Sequence, residues 1–149
     1  RLFRLLMSDH TFNPLNQEEE SVNMSHFTTI GIQIHDIRAL KDACNEMGLT
    51  VSENTEARGF GSHRIHGDYV INLNGPYDAA LRKTQDGSGY EVIADLWHGH
   101  VESELGHNFG TLKQFYGVHK TIREARRKGM AVRRKKQKNG AVRLSLCQV

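Results

Sequence analysis

The residues most able to do chemistry are the histidines, nine of them in 149 positions. His63 and His66 stand three apart, and His98-Gly99-His100 would hold two imidazoles within reach of each other. Zinc needs three or four convergent ligands. No HExxH occurs, and Cys44 and Cys147 lie far apart without CxxC spacing. The expectation is solvated loop histidines and no metal, with His63, His66, His98 and His100 as the positions that would ligate one. A second constellation could do acid-base work. His119 is expected on a helix face with Phe115 and Ile122, Asp95 in a strand between Ile93 and Trp97, and Tyr116 beside them. Meeting in a cleft, they would make His119 a general acid-base catalyst. A buried His-Asp or His-Tyr bond that merely satisfies polar groups explains the same residues, and no nucleophile stands beside them.

Phosphate chemistry has less support. Gly59-Phe60-Gly61-Ser62-His63-Arg64 lacks the third glycine of a dinucleotide fingerprint, and neither GxxxxGKS nor GxxxxGKT occurs. The absence of GxSxG removes one serine-hydrolase signature. No cofactor is expected, and any ATPase activity would belong to a partner.

Charge is divided along the chain. Residues 121–149 carry ten Lys or Arg against the single acid Glu124, a net charge of +9, whereas residues 1–120 are net −6. Such a split suggests a basic face for an anionic partner, though a solvated surface or an internal acidic counterpart produces the same split. The candidate binding residues are Arg126, Arg127, Lys128, Arg133, Lys135 and Arg143, with Trp97 as an exposed aromatic.

These residues must be positioned by a chain of single-domain length, 38% hydrophobic and 25% charged, as in soluble globular proteins. No apolar run approaches the roughly 20 residues of a membrane span, so no membrane partner is expected. Two unpaired cysteines suit a reducing compartment. Residues 1–23 read as a flexible tail and residues 24–149 as one domain opening at Met24. Alternating Ile30, Ile32 and Ile34 predict a strand over Phe27 to Ile34. Asp36 should cap a helix whose apolar positions Ile37, Leu40, Cys44 and Met47 recur at helical spacing until Gly48. A short strand over Leu49 to Glu53 and a long loop over Arg58 to Gly67 follow. Tyr69 to Leu73, Tyr77 to Lys83 and Tyr90 to Trp97 then read as an antiparallel meander. After a glycine-interrupted segment, Leu112 to Lys128 is the second helix.

The last hairpin, Met130 to Gln137 and Ala141 to Gln148, allows its register to be argued. A two-residue Asn139-Gly140 turn would set Lys135 and Arg133 opposite Leu144 and Leu146, mixing charge into the apolar face. A three-residue Lys138-Asn139-Gly140 loop instead pairs Val132 with Leu146, Arg134 with Leu144 and Lys136 with Val142. Arg133, Lys135 and Arg143 then share one face, with Lys135 opposite Arg143. The order β-α-β-β-β-β-α-β-β predicts an α+β fold, with two helices on one face of an antiparallel sheet and the other face open.

Met24-Ser25-His26-Phe27-Thr28-Thr29-Ile30 and the helix Asp36 to Gly48 resemble the opening of the plastid hypothetical reading frame thirty-five family, found in chloroplasts, cyanobacteria and some phages. Arg58-Gly59-Phe60, Tyr77-Asp78, the run Tyr90 to Trp97, and Tyr116 with His119-Lys120 resemble its later landmarks, over roughly residues 24 to 148. The family is a domain of unknown function, so the resemblance implies relatives without a reaction. It also implies a plastid stroma or cytoplasm, and a protein partner of the AAA-type ATPase class, near which members are often encoded. This chain departs from the pattern in its N-terminal tail, in Gly117, and in His63, His66, His98, His100 and His107.

The expected function is a small non-enzymatic binding or adaptor protein, using an open sheet face or the basic hairpin to contact a macromolecule, foremost a protein. The alternatives are a small enzyme centred on Asp95, His119 and Tyr116, and a non-specific nucleic-acid binder. An enzyme needs a concave pocket where those side chains converge, whereas an adaptor would display Trp97, Ile93 or the basic face.

Overall fold

A computed structural model describes residues 27–148. The expected tail and the expected start at Met24 lie outside the described residues. The elements are β1 Phe27–Ile34, α1 Ile37–Glu46, β2 Thr50–Arg58, β3 Arg64–Asn72, β4 Ala79–Lys83, β5 Tyr90–Asp95, α2 His100–Leu105, α3 Gly110–Arg127, β6 Met130–Lys136 and β7 Val142–Gln148. Strands 1 to 5 form one antiparallel sheet in the order β1-β5-β4-β3-β2, and β6 and β7 form a separate two-stranded ribbon. This is the α+β arrangement that the sequence predicts, with the meander in place.

The capping signals act as expected. Asp36 accepts a hydrogen bond from the Ala39 N–H (3.1 Å), and Gly48 ends α1 at a φ of 75°. The apolar stripe of α1 buries Ala39, Leu40, Ala43 and Cys44. Burying one such leucine contributes roughly 1.5–3 kcal/mol. The main core lies between one face of the sheet, with Ile34, Ile71, Ala79, Leu81, Val92 and Ala94, and the helices, with Leu40, Val101, Leu105, Leu112 and Tyr116. Strand neighbours alternate faces. Val70 and Ala80 therefore point the other way, where with Ala57 they make a second, smaller buried cluster against Ile65.

Several boundaries differ from expectation. Half of the expected loop over Arg58 to Gly67 is strand, because β2 runs on to Arg58 and β3 starts at Arg64, which leaves residues 59–63 as the turn. Threonine, valine and isoleucine along these stretches supply the strand preference, and the charged residues between them occupy exposed positions. Tyr77 and Asp78 belong to the connection before β4 rather than to the strand, and the Asp78 carboxylate accepts from the Arg58 and Leu73 N–H groups. β5 stops at Asp95, whose Oδ1 accepts from the Trp97 N–H (2.9 Å) and turns the chain. The short α2 was not expected. It is six residues long, flanked by Gly99 and Gly106 at positive φ, with no side-chain cap to advertise it. No helix among the described residues is long and apolar enough to cross a membrane.

Candidate functional site

The three acid-base candidates occupy separate places. Asp95 is fully buried, on the sheet face opposite its helix-facing neighbour Ala94, and its second oxygen accepts from the Phe60 N–H (2.7 Å). Both carboxylate oxygens therefore hold backbone, one on each of two loops. The Tyr116 hydroxyl accepts from the His35 and Asp36 N–H groups (3.0 and 3.1 Å), joining α3 to the start of α1. His119 faces α1, with Nε2 3.6 Å from a Glu46 oxygen. The structure does not bring Asp95, Tyr116 and His119 together.

The motif residues Arg58-Gly59-Phe60 and Tyr77-Asp78 build a clamp. Arg58 meets both Asp78 oxygens (2.8 and 2.9 Å) and donates to the Leu73 and Gly75 carbonyls, while its own N–H also donates to Asp78. Burial pulls the Asp78 carboxyl upward, but the hydrogen bonds from Arg58 and Leu73 outweigh it and hold it below the ordinary carboxylate range. Gly59 is required by space. A Cβ there would lie 2.5 Å from Phe27 Cζ and 3.1 Å from Asp95 Oδ2. The clamp thus fixes the loops at one end of the sheet.

The histidines named as possible ligands are spread over different elements, His63 in the β2–β3 turn, His66 in β3, His98 after β5 and His100 at the start of α2. His66 Nε2 is 2.7 Å from Asn54 Oδ1, the His63 ring lies edge-on to Phe60, and His100 lies edge-on to Tyr77. His98 packs between Trp97 and His100. Among the described residues no group of three or more His, Cys, Asp or Glu is placed to hold a metal ion. Trp97 is 43% exposed and lies edge-on to Phe60, whereas Ile93, also expected on display, is buried.

Charge is organised along the seam of α1 and α3. Asp42 and Glu46 are four apart, hence on one face of α1. Asp42 pairs with Arg123 (2.5 Å), and Glu46 accepts from both terminal guanidinium nitrogens of Arg134 from β6. The hydrogen bond from Arg123 lowers the Asp42 carboxyl, and that from Arg134 lowers Glu46, each against a smaller opposing effect of burial. An open groove of about 1390 Å³ follows this seam, lined by Arg38, Asp42, Glu46, His119, Lys120 and Arg126 among others; Asp95 and Tyr116 are not among its lining residues. The spacing of Asp42 and Glu46 could have disclosed these acids as the internal counterpart of part of the basic segment.

The ribbon register is the one argued from the three-residue loop: Val132 faces Leu146, Arg134 faces Leu144, Lys136 faces Val142 and Lys135 faces Arg143. Gly140 takes the left-handed conformation at a φ of 86°. The inner side packs on α3, with Arg134 over the Phe115 ring and Gln114 donating to the Gly140 carbonyl. Along the outer side, Arg133, Lys135 and Arg143 are exposed. None of the three makes an ion pair with a described residue. At the base, Arg126, Arg127 and Lys128 are also exposed, and Arg126 adds to the positive field at Asp42.

The fold and these sites define an α+β protein with a helix-backed basic ribbon. Residues 43–145 match the family described as "Protein of unknown function (DUF1257)", and the chain belongs to that family. No curated protein and no solved structure matches it.

Proposed function

We propose that the chain is a binding or adaptor protein that presents the outer side of the β6–β7 ribbon to an anionic macromolecule. One observation carries this reading: the outer side of the ribbon sets two like charges opposite each other, and neither has an acidic partner among the described residues. Arg134, on the inner side, is neutralised by Glu46. Lys135 and Arg143 face each other in register on the outer side, where like charges opposite one another cost stability. Phosphates or carboxylates of a partner would relieve that repulsion. The resemblance to the plastid family adds the setting of this proposal, a plastid stroma or cytoplasm, and an AAA-type ATPase as the protein that an adaptor would join to its anionic partner.

The test is salt elution from immobilised heparin. The unmodified chain should be retained at low salt, and the Arg133→Gln, Lys135→Gln, Arg143→Gln variant should elute markedly earlier. Identical elution of the two would refute the reading.

A further inference from the structure

We infer that the anionic partner of the ribbon is duplex DNA, with the outer side of β6–β7 seated in the major groove; this rests on the reading of the ribbon as a polyanion-binding surface. A protein partner would need an apolar centre with aromatic or aliphatic anchors. The middle of the outer side offers only Arg133, Ser145, Lys135 and Arg143, all exposed. Arginine, lysine and serine are residue types that contact phosphate oxygens.

Shape narrows the choice among nucleic acids. Each strand has seven residues, so the ribbon is about 23 Å long, with strands about 4.8 Å apart. The major groove of B-form DNA, about 12 Å wide, admits a two-stranded ribbon, whereas that of an RNA duplex is deep and narrow. Single strands are held by stacking on aromatic side chains. The outer side has none. The inner side is partly covered by α3, with Arg134 tied to Glu46 on α1 and Leu146 and Lys136 left exposed, so the ribbon is supported from behind and leads with its basic side. Lys138 in the loop at the tip and Lys128 at the base are exposed and extend the basic surface past both ends of the ribbon.

The experiment is fluorescence anisotropy with the full chain over a range of salt. The probes are a short labelled DNA duplex, the RNA duplex of the same sequence, the single DNA strand and poly-glutamate. Duplex DNA should bind tightest, with a steep salt dependence. Replacing Arg133, Lys135 and Arg143 together by Gln should weaken it roughly tenfold or more and flatten the log–log salt slope by about 2 to 3, since each phosphate contact contributes about 0.9. Lys135→Gln alone removes a like-charge contact, so it should leave the fold intact, and should flatten the slope by about 1. Lys83→Gln, on the sheet, should change nothing. Binding to poly-glutamate without DNA overturns the inference and leaves the polyanion reading standing. Equal or tighter binding to duplex RNA or to the single strand overturns the groove. No binding to any probe overturns both.

Discussion

Arg134 and Glu46, 88 positions apart in the chain, form a two-pronged pair that ties the ribbon to the first helix. The arginine also lies over Phe115 of α3, so one side chain reaches both helices. With each partner about a third exposed, the pair is expected to contribute only about 0.5–1 kcal/mol. Glu46→Gln and Arg134→Gln should each cost about that much in urea unfolding. A double-mutant cycle should return a coupling of the same sign, and hydrogen exchange should speed up in β6 and β7 before the sheet responds.

The same pair sets a pH dependence. The Glu46 carboxyl is lowered by Arg134, and that of Asp42 by Arg123. A carboxyl lower in the folded chain than in the unfolded one stabilises fully above its unfolded value, about 4, and loses that contribution as pH falls through the folded value. Stability should therefore be flat in these two groups at neutral pH and decline below about pH 4. Glu46→Gln should make the acid limb shallower; an unchanged limb would remove Glu46 from the account.

Asp78 is 3% exposed and takes four hydrogen bonds. Asp78→Ala leaves the Arg58 guanidinium and two N–H groups without their acceptor. The Arg58 side chain is 42% exposed, so water takes up part of its charge, and the loss should be about 1–3 kcal/mol, set by the N–H groups left without an acceptor and seen as a fall in the urea midpoint. Arg58→Lys should cost less, since an ammonium keeps the charge but cannot span Asp78 and the Leu73 and Gly75 carbonyls together.

Tyr116 holds the entrance of α1 through one oxygen. Tyr116→Phe should destabilise the chain by about 1–3 kcal/mol, because the His35 and Asp36 N–H groups lose their acceptor. The exchange of those two amides should rise with it. A variant as stable as the parent would show that water replaces the hydroxyl at no cost.

The two thiols should react differently. Cys44 is buried, and burial pushes its thiol up to about 12, whereas Cys147 lies exposed on the ribbon. Iodoacetamide at pH 8 should modify Cys147 in the native chain and Cys44 only after unfolding, as mass spectrometry would show. Modification of both at equal rates would contradict the packing of α1.

Local signals carried most of the fold. Asp36 and Gly48 bracket α1, Gly129 closes α3 at a φ of 72°, and the hydrophobic pairing across Gly140 sets the ribbon register. What the sequence concealed depends on long-range pairs. Arg58 reads as a loop cation until Asp78 is folded against it, and Asp95 reads as an acid-base candidate until its oxygens are seen to hold Phe60 and Trp97. Helical spacing sets His119 on a face of α3 with Phe115 and Ile122, and it meets α1. Its neighbour is Glu46 rather than Asp95, because Asp95 turns to the sheet face away from the helices.

The ribbon shares no strand with the five-stranded sheet. Its outer positions therefore have no part in packing the core, and the chain can exchange them without renegotiating its fold. Among relatives, residues at 133, 135 and 143 are then free to drift unless something outside the chain restrains them. A persistent basic character there would record the partner rather than the architecture, and a shift to other residue types would mark a lineage in which the partner had changed.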